Sequence, residues 1–523
     1  MQDISRRLHQ LAYSPWLIVI AFLVAVVIGL GATPLFDVDE GAFSEATREM
    51  LVSGNWAATY LNGVPRYDKP ILIYWFQALS VSALGQHEWA YRLPSALFCG
   101  LWVAVLVSFA REQLGKHRAV IAGLFLVNIL WVGMIGRAAI ADALLNLILS
   151  LTLFDIWRYY QKPKLGTLLR VFAWMGLGFL TKGPVAIVIP AAVSLIFFTS
   201  RAQLMVLLRA FFHPLGWCVF LLIILPWLWL VYQDQGIGFF KGFFIDHNLE
   251  RFSSTKEGHG GNLLYYVLTF PLVVLPFTGL LLRPLRYLKA YWARPFERYC
   301  LIWMAVILTI FSVSQTQLPH YVLNAVTPFA LLSARYATRF KAPRAYLIPV
   351  IGLVVLFLLL PIVTPLFLAQ MPAYEQEMLS RIPVAFTTGY YVAAVLVLAA
   401  LLFLQWRVRA PVWVKLVYAG VLQSIFVFHF VVPAYAELQQ APIKKAALMA
   451  KAADADVVAY RMHMPSFSVY RQEITYTVDK PKPGQWVYTR VNNLPRLQET
   501  IAPDRYQVLY AEGGVRLVEI KTP

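Results

Sequence analysis

The sequence predicts an α-helical polytopic membrane protein with a small extramembrane α/β unit at its C-terminus. Three observations carry this. Of 523 residues, 59% are hydrophobic and only 14% charged, with mean hydropathy +0.62. Apolar runs of about 20 residues, enough to cross a bilayer's hydrocarbon layer, recur from Trp16 to Val432. The composition then turns polar, and 434–523 alternates β-branched and aromatic residues in short runs. Helices are expected for the spans, because lipid leaves no partner for an unpaired backbone group.

Taken in order, the chain opens with the short basic segment MQDISRRLHQ, expected on the cytoplasmic side. Trp16 to Ala32 reads as a retained span, since no small-residue cleavage site follows it. The acidic stretch Phe36–Lys69 then lies on the outer side. Ile71–Leu84 is short for a span and reads as re-entrant or interfacial. Further spans are expected near 89–110, 119–135, 141–157, 168–181, 184–199, 215–232, 263–282, 299–314, 320–334, 345–369, 384–405 and 411–433, about thirteen in all. The expected division is a membrane domain over 1–433, with outer loops 34–70 and 234–262, and a C-terminal periplasmic α/β domain over 434–523. In the latter KKAALMAKAADAD reads as helix, and DVVAYR, FSVYR, ITYTV, QWVYTRV, YQVLYA and VRLVEI read as strands.

The net charge of +18 is explained by its placement. Loops such as RYYQKPKLGTLLR, RPLRYLKAYWARPFER and QWRVRAPVWVK are basic, whereas GRAAIAD, TKGP, SQTQLPH and AQMPAYEQEMLSRIP are mixed. Thirteen spans from a cytoplasmic N-terminus put every basic loop inside and every mixed loop outside, the positive-inside bias rather than nucleic-acid binding. Cys99, Cys218 and Cys300 sit in or beside apolar runs with no metal or disulfide spacing.

The polar chemistry collects on the outer face. Asp37 and Glu40 have the spacing of a capping box, and the helix it would start places Phe43, Ala46 and Met50 on one face and Glu45, Arg48 and Glu49 on another. This predicts a short amphipathic helix on the membrane surface. Asp39 reads either as an acid favoured in a first helical turn or as a site carboxylate. Asp142 opens an apolar span, where a carboxylate at mid-bilayer costs roughly 2.5–3.5 kcal/mol, so it should face a cavity or a partner such as Arg137. Lys69, Arg92, Arg137, Lys182, Arg251, His247 and His320 lie on the same side, a set suited to an anionic headgroup. Asp68 and His247 are metal-ligand types without a motif spacing, so a divalent metal of unknown identity stays open. No P-loop, no GxGxxG before a helix and no GxSxG is present, so a soluble nucleotide is not indicated.

Six motifs in order resemble those of a known family: Asp39-Glu40, Asp68-Lys69-Pro70, Arg137 with Asp142, Thr181-Lys182-Gly183-Pro184, His247 with Arg251-Phe252, and Leu318-Pro319-His320-Tyr321. The chain is similar along its whole length to the GT-C glycosyltransferases, in the bacterial branch of the lipid A aminoarabinose transferases, related to the protein O-mannosyltransferases. The resemblance implies an inverting transferase at the periplasmic face of the bacterial inner membrane. It would move a sugar from a polyprenyl-phosphate donor to lipid A, other lipopolysaccharide or another membrane-embedded envelope glycolipid. By motif, Lys69, Arg251 and Tyr321 would bind the donor phosphate, with Arg137, Lys182 and His320 behind them. Asp39 would be the acceptor-side carboxylate, with Glu40 and Asp142 as further site acids.

The sequence departs from that pattern at three places. Ala42 stands where those transferases carry an arginine, and Gln315 and Gln317 replace two lysines. These changes remove three cationic positions, which weighs against an anionic lipid A phosphate as acceptor or against the family's mode of binding it, while the donor site keeps Lys69 and Arg251. A protein O-glycosyltransferase of the same fold, and a transporter or flippase of lipid-linked sugars, are the alternatives; the absence of internal repeats argues against the transporter.

Overall fold

The computed structural model describes residues 2–249, 262–281, 286–339 and 344–522. Among these, six helices are long and apolar enough to cross a membrane: Glu88–Leu114, Pro214–His247, Pro295–Val313, Ile348–Gln370, Thr388–Trp406 and Val412–Gln439. Two bent pairs raise the number to eight, Ser5–Leu11 with Pro15–Val27 at 84° and Lys116–Asn128 with Leu130–Arg137 at 65°. Asp142–Gln161 is instead a core helix. It buries Asp142, Ser150 and Asp155, which is tolerable because Lys182, Thr327 and Arg170 of neighbouring helices meet them, and Asn146, which donates within its own helix.

The bundle has two chemically distinct ends. At one, Arg158 reaches Glu112 at 2.7 Å and Asp155 at 3.1 Å, and Arg170 adds a 2.9 Å contact to Asp155. These ties join Glu88–Leu114, Asp142–Gln161 and Leu165–Lys182 beside the basic loops. The other end carries the acidic stretch and the C-terminal unit. There Glu88, at the opposite tip of the same helix, pairs with Lys444 at 2.5 Å.

The helix expected on the membrane surface is instead interior. It runs Asp39–Ser53, and Glu45, Arg48 and Glu49 are all buried. One side packs on the helix Leu72–Leu84, where Thr47 Oγ1 donates to Gln77 Oε1 at 2.9 Å. The other packs under the short helix Ser466–Arg471 of the C-terminal unit. Arg48 forks onto Glu45 at 2.6 and 2.7 Å and donates to the Gln472 carbonyl at 3.1 Å. The charges that patterned as a solvated face therefore meet one another and a second unit. Nor is there a capping box: Val38 is the N-cap without a side-chain bond, and Asp37 accepts from Ser466 N at 2.9 Å and from its hydroxyl. Gly41 allows this approach, since a Cβ there would lie 2.0 Å from Asp37 Oδ1 and 2.6 Å from Ser466 N.

The C-terminal unit includes a four-stranded sheet, β1 (Val457–Ala459), β2 (Trp486–Arg490), β3 (Tyr506–Glu512) and β4 (Val515–Ile520), in the order β1-β2-β4-β3. β1 runs parallel to β2, and the other pairs are antiparallel. The helix Ala441–Ala452 matches the KKAALMAKA reading. FSVYR does not form a strand: Pro465 precedes a helical turn whose Phe467 stacks on Tyr488 at 3.9 Å, so packing overrides β propensity. ITYTV makes only an isolated bridge at Thr477. The last apolar helix continues to Gln439, so the compositional boundary at 433 falls inside it.

Burial against this unit pushes the Asp37 carboxyl up to about 7, although the two Ser466 bonds and Arg490 pull it down; Glu40 adds to the rise. An acid raised above its unfolded value of about 3.9 stabilises the fold fully below that value, and the contribution is lost as pH rises through about 7. Docking of the C-terminal unit should therefore be firmer at pH 5 than at pH 8, by on the order of a few kcal/mol at most. Limited proteolysis across that range measures it, and Asp37→Asn should flatten the dependence. An equally steep profile in the variant would assign the effect elsewhere.

Candidate active site

A cavity of about 320 Å³ opens where the Asp68–Lys69 loop meets the ends of several helices. Asp68, Lys69, Asp142, Lys182, His247 and Tyr321 line it together with apolar side chains, Val188, Ile189, Phe244 and Phe311 among them. Local structure explains how these meet. Lys182 ends the helix Leu165–Lys182, and Gly183 turns the chain at φ 71° into the helix Val185–Ser200. Only glycine serves there: the φ is left-handed, and a Cβ would lie 2.3 Å from the Phe243 ring. Asp142 is the first residue of its helix, so its carboxylate meets the turn from the opposite side.

Lys182 Nζ pairs with Asp142 Oδ1 at 2.7 Å and lies 5.5 Å from the centroid of the Tyr321 ring. Lysine, not Arg137, is thus the partner of Asp142. Arg137 turns away and donates to the Ile28 carbonyl at 2.9 Å, with its guanidinium 5.3 Å from the Phe428 ring. His247 Nε2 lies 3.0 Å from Asp68 Oδ1, and Arg66 is 3.5 Å from the other oxygen. Among the described residues no group of three His, Cys, Asp or Glu side chains forms a metal site. The Asp68–His247 pair alone falls short of the four ligands zinc prefers. Arg251 lies outside the described residues.

A second cavity, about 250 Å³, lies beside the first turn of the buried helix and holds Asp37, Asp39, Glu40, Arg92, Arg137 and Phe428. Two of its acids are occupied. Glu40 accepts from Arg92 twice at 2.8 Å, from Ala139 N at 2.7 Å and from Phe36 N at 2.9 Å. Asp37 is held by Ser466. Asp39 is exposed, and among the described residues its carboxylate makes no hydrogen bond or ion pair. His320 lies within electrostatic reach of Asp142, Lys182, Asp39 and Lys69.

Geometry thus gathers Lys69, Asp142, Lys182, Tyr321, Asp68 and His247 around one cavity, and puts Asp39, Glu40 and Arg137 around the other. Two of the three departures from that pattern, Ala42 and Gln317, have structural parts here. Ala42 is packed in the buried helix, and Gln315 is exposed. Gln317 caps a helix end by donating to the carbonyls of Ser312 and Ser314 at 3.0 Å. The first cavity also includes Ser314, Thr316 and Asn324, which motif reading passed over. The signal for Asn324 was available: an amide inside the apolar run YVLNAVTPFALL is costly unless it faces a cavity.

The chain is similar across 97% of its length to the crystal structure of ArnT from Cupriavidus metallidurans bound to undecaprenyl phosphate, with TM-score 0.77, 21% identity and 98% of that chain covered. The chain has the ArnT fold. Its sequence is 31% identical over 332 residues to the undecaprenyl phosphate-alpha-4-amino-4-deoxy-L-arabinose arabinosyl transferase of Aeromonas salmonicida. It is 30% identical over 333 residues to the enzyme of that name from Yersinia enterocolitica. Each match covers 62% of this chain and 59% of the relative. The profile of the dolichyl-phosphate-mannose-protein mannosyltransferase family matches residues 68–230, which include Asp68, Lys69, Arg137, Asp142 and Lys182. The similarity read from the motifs therefore holds for the ArnT fold and for sequence likeness to its arabinosyl transferase relatives.

Proposed function

We propose that this protein is an inverting glycosyltransferase of the inner membrane that moves a sugar from a polyprenyl-phosphate donor to an envelope glycolipid. The observation that carries the reading is the first cavity: lined by two lysines and a tyrosine hydroxyl together with apolar side chains, on the fold of a protein crystallised with undecaprenyl phosphate. Such a cavity suits a lipid phosphate, with lysines for its head and apolar side chains for its tail.

In this reading Lys69, Lys182 and Tyr321 hold the donor phosphate, with Arg251 joining them by motif. The departing group is a phosphate monoester, so fixed positive charge stabilises it without a general acid. Lys182 is itself held by Asp142, which keeps the ammonium aimed at the cavity. Asp39, the unengaged acid of the second cavity, takes the proton of an acceptor hydroxyl, or orients a phosphate acceptor, as it attacks the face opposite the leaving group. Glu40 and Arg92 fix the turn that presents Asp39. The active site and C-terminal unit are assigned to the periplasmic side, the N-terminus to the cytoplasm, and the topology to thirteen spans. The Glu112–Asp155–Arg158–Arg170 ties beside basic loops support that polarity.

The test is transfer by purified full-length protein in lipid, with labelled polyprenyl-phosphate sugars and a panel of envelope acceptors. Lys69→Ala should weaken donor binding about 10–100-fold, the worth of a charge-assisted bond. Wild-type turnover untouched by Lys69→Ala would remove the first cavity from the mechanism. The mannosyltransferase profile match favours one second reading, a protein O-glycosyltransferase. Product on a peptide acceptor and none on glycolipid would establish it instead.

A further inference from the structure

The first helix of the chain stands apart from both cavities. Ser5–Leu11 meets the segment Pro15–Val27 at 84°, so it lies along the membrane plane while the next segment crosses it. Contacts with the last span and the loop before it fix that right angle. Arg409 N donates to Ser5 Oγ at 3.0 Å, and Tyr418 Oη donates to the Leu8 carbonyl at 3.0 Å. The Trp413 ring lies 6.1 Å from His9 and 5.1 Å from Tyr13, and Tyr13 meets His117 at 5.5 Å. His117 belongs to the helix Lys116–Asn128, which follows the Glu112 tip of Glu88–Leu114. The first helix therefore lies at the end of the bundle away from the C-terminal unit, and three basic segments meet on it.

The outward side of this assembly is cationic. Arg6, Arg7, Lys116, Arg118, Arg407 and Arg409 are all exposed. Across 2–13, 115–118 and 406–411 the only acid is Asp3, which pairs with Arg7 at 3.3 Å in an open contact worth little in water. Apolar and indole side chains mark the same level: Leu11 is 56% exposed, Trp16 73% and Trp406 66%, the tryptophans at the start of one span and the end of another. Tryptophan at a span end belongs in the headgroup region. Arginines held at that depth with almost no carboxylate beside them suit lipid phosphates. We propose that this face is a binding site for anionic phospholipid, in which Arg6, Arg407 and Arg409 take the phosphodiester of a headgroup without an ammonium, and Leu11 and Trp16 meet the acyl region. A zwitterionic headgroup brings its own cation to the same place and gains less. The site does not depend on the donor-lipid reading of the cavities.

The test titrates full-length protein in neutral detergent with phosphatidylglycerol or phosphatidylcholine of matched acyl chains and counts retained lipid by native mass spectrometry. Wild type should hold phosphatidylglycerol about tenfold more tightly, and raising ammonium acetate from about 0.1 M to about 0.5 M should erase most of that preference by screening. Arg6→Gln/Arg407→Gln/Arg409→Gln should bring the ratio close to one with phosphatidylcholine retention unchanged. Lys162→Gln/Lys164→Gln/Arg209→Gln removes the same charge from exposed positions on other segments and should keep the preference. Equal loss in both triple variants would overturn the site in favour of bulk charge. A wild type without preference, or one indifferent to salt, would overturn it as well. The thermal midpoint in phosphatidylcholine checks that the first triple variant is folded. Where it is not, Arg6→Gln and Arg407→Gln stand in singly, each expected to lower the preference about two- to fivefold; no change in either would overturn the site.

Discussion

Glu40→Ala should destabilise the protein by about 3–5 kcal/mol, the usual consequence of removing one member of a buried ion pair. Arg92 is 2% exposed, and its guanidinium spends its donors on Glu40 and on the carbonyls of Leu30, Thr33 and Pro34. Without the carboxylate a buried cation stands uncompensated, and the amides of Phe36 and Ala139 lose their acceptor. These four groups come from the segment after the first span, from Glu88–Leu114 and from the loop before Asp142. Glu40 therefore ties together the walls of the second cavity. The midpoint of thermal aggregation in detergent should fall by several degrees, and Glu40→Gln should recover part of the loss. A change below about 1 kcal/mol would mean that the site is held by something other than this pair.

Asp39→Asn should leave that midpoint and donor affinity unchanged while lowering transfer about 10²–10⁴-fold, the range for a positioned general base. The expectation rests on a contrast within one stretch. Asp37, Glu40, Glu45 and Glu49 each accept hydrogen bonds from the protein, whereas Asp39 accepts none among the described residues. A free carboxylate at the start of an anchored helix is available to a substrate. The separation of effects is the informative part: stability should follow Glu40, and turnover should follow Asp39. If Asp39→Asn transfers normally to a hydroxyl acceptor, the proton goes elsewhere, and His320, within electrostatic reach of Asp39 and Asp142, is the next residue to replace.

Adjacent acids thus acquire different tasks, and that division marks where sequence reasoning stops. Composition and hydropathy determine a helical membrane chain, because lipid admits few other solutions. Ordered motifs identify Asp39, Lys69, Asp142, Lys182 and Tyr321 as residues of interest, since charges at the ends of apolar runs need a reason. The pattern cannot say who meets whom. Glu45, Arg48 and Glu49 repeat like a solvated face, yet a unit more than 400 residues away covers them, and a covered charge must pair. Arg137 lies five positions from Asp142, yet Lys182 takes the carboxylate, because a left-handed glycine returns the chain there. Asn324 carries no motif, and its place beside the first cavity becomes visible only when the turn Pro319–Ala325 folds against the bundle. The sequence by itself determined the class of the protein and which residues bear chemistry. The tertiary structure decided which of those charges are spent on holding the fold and which remain for a ligand, because burial and partnership are set by long-range packing.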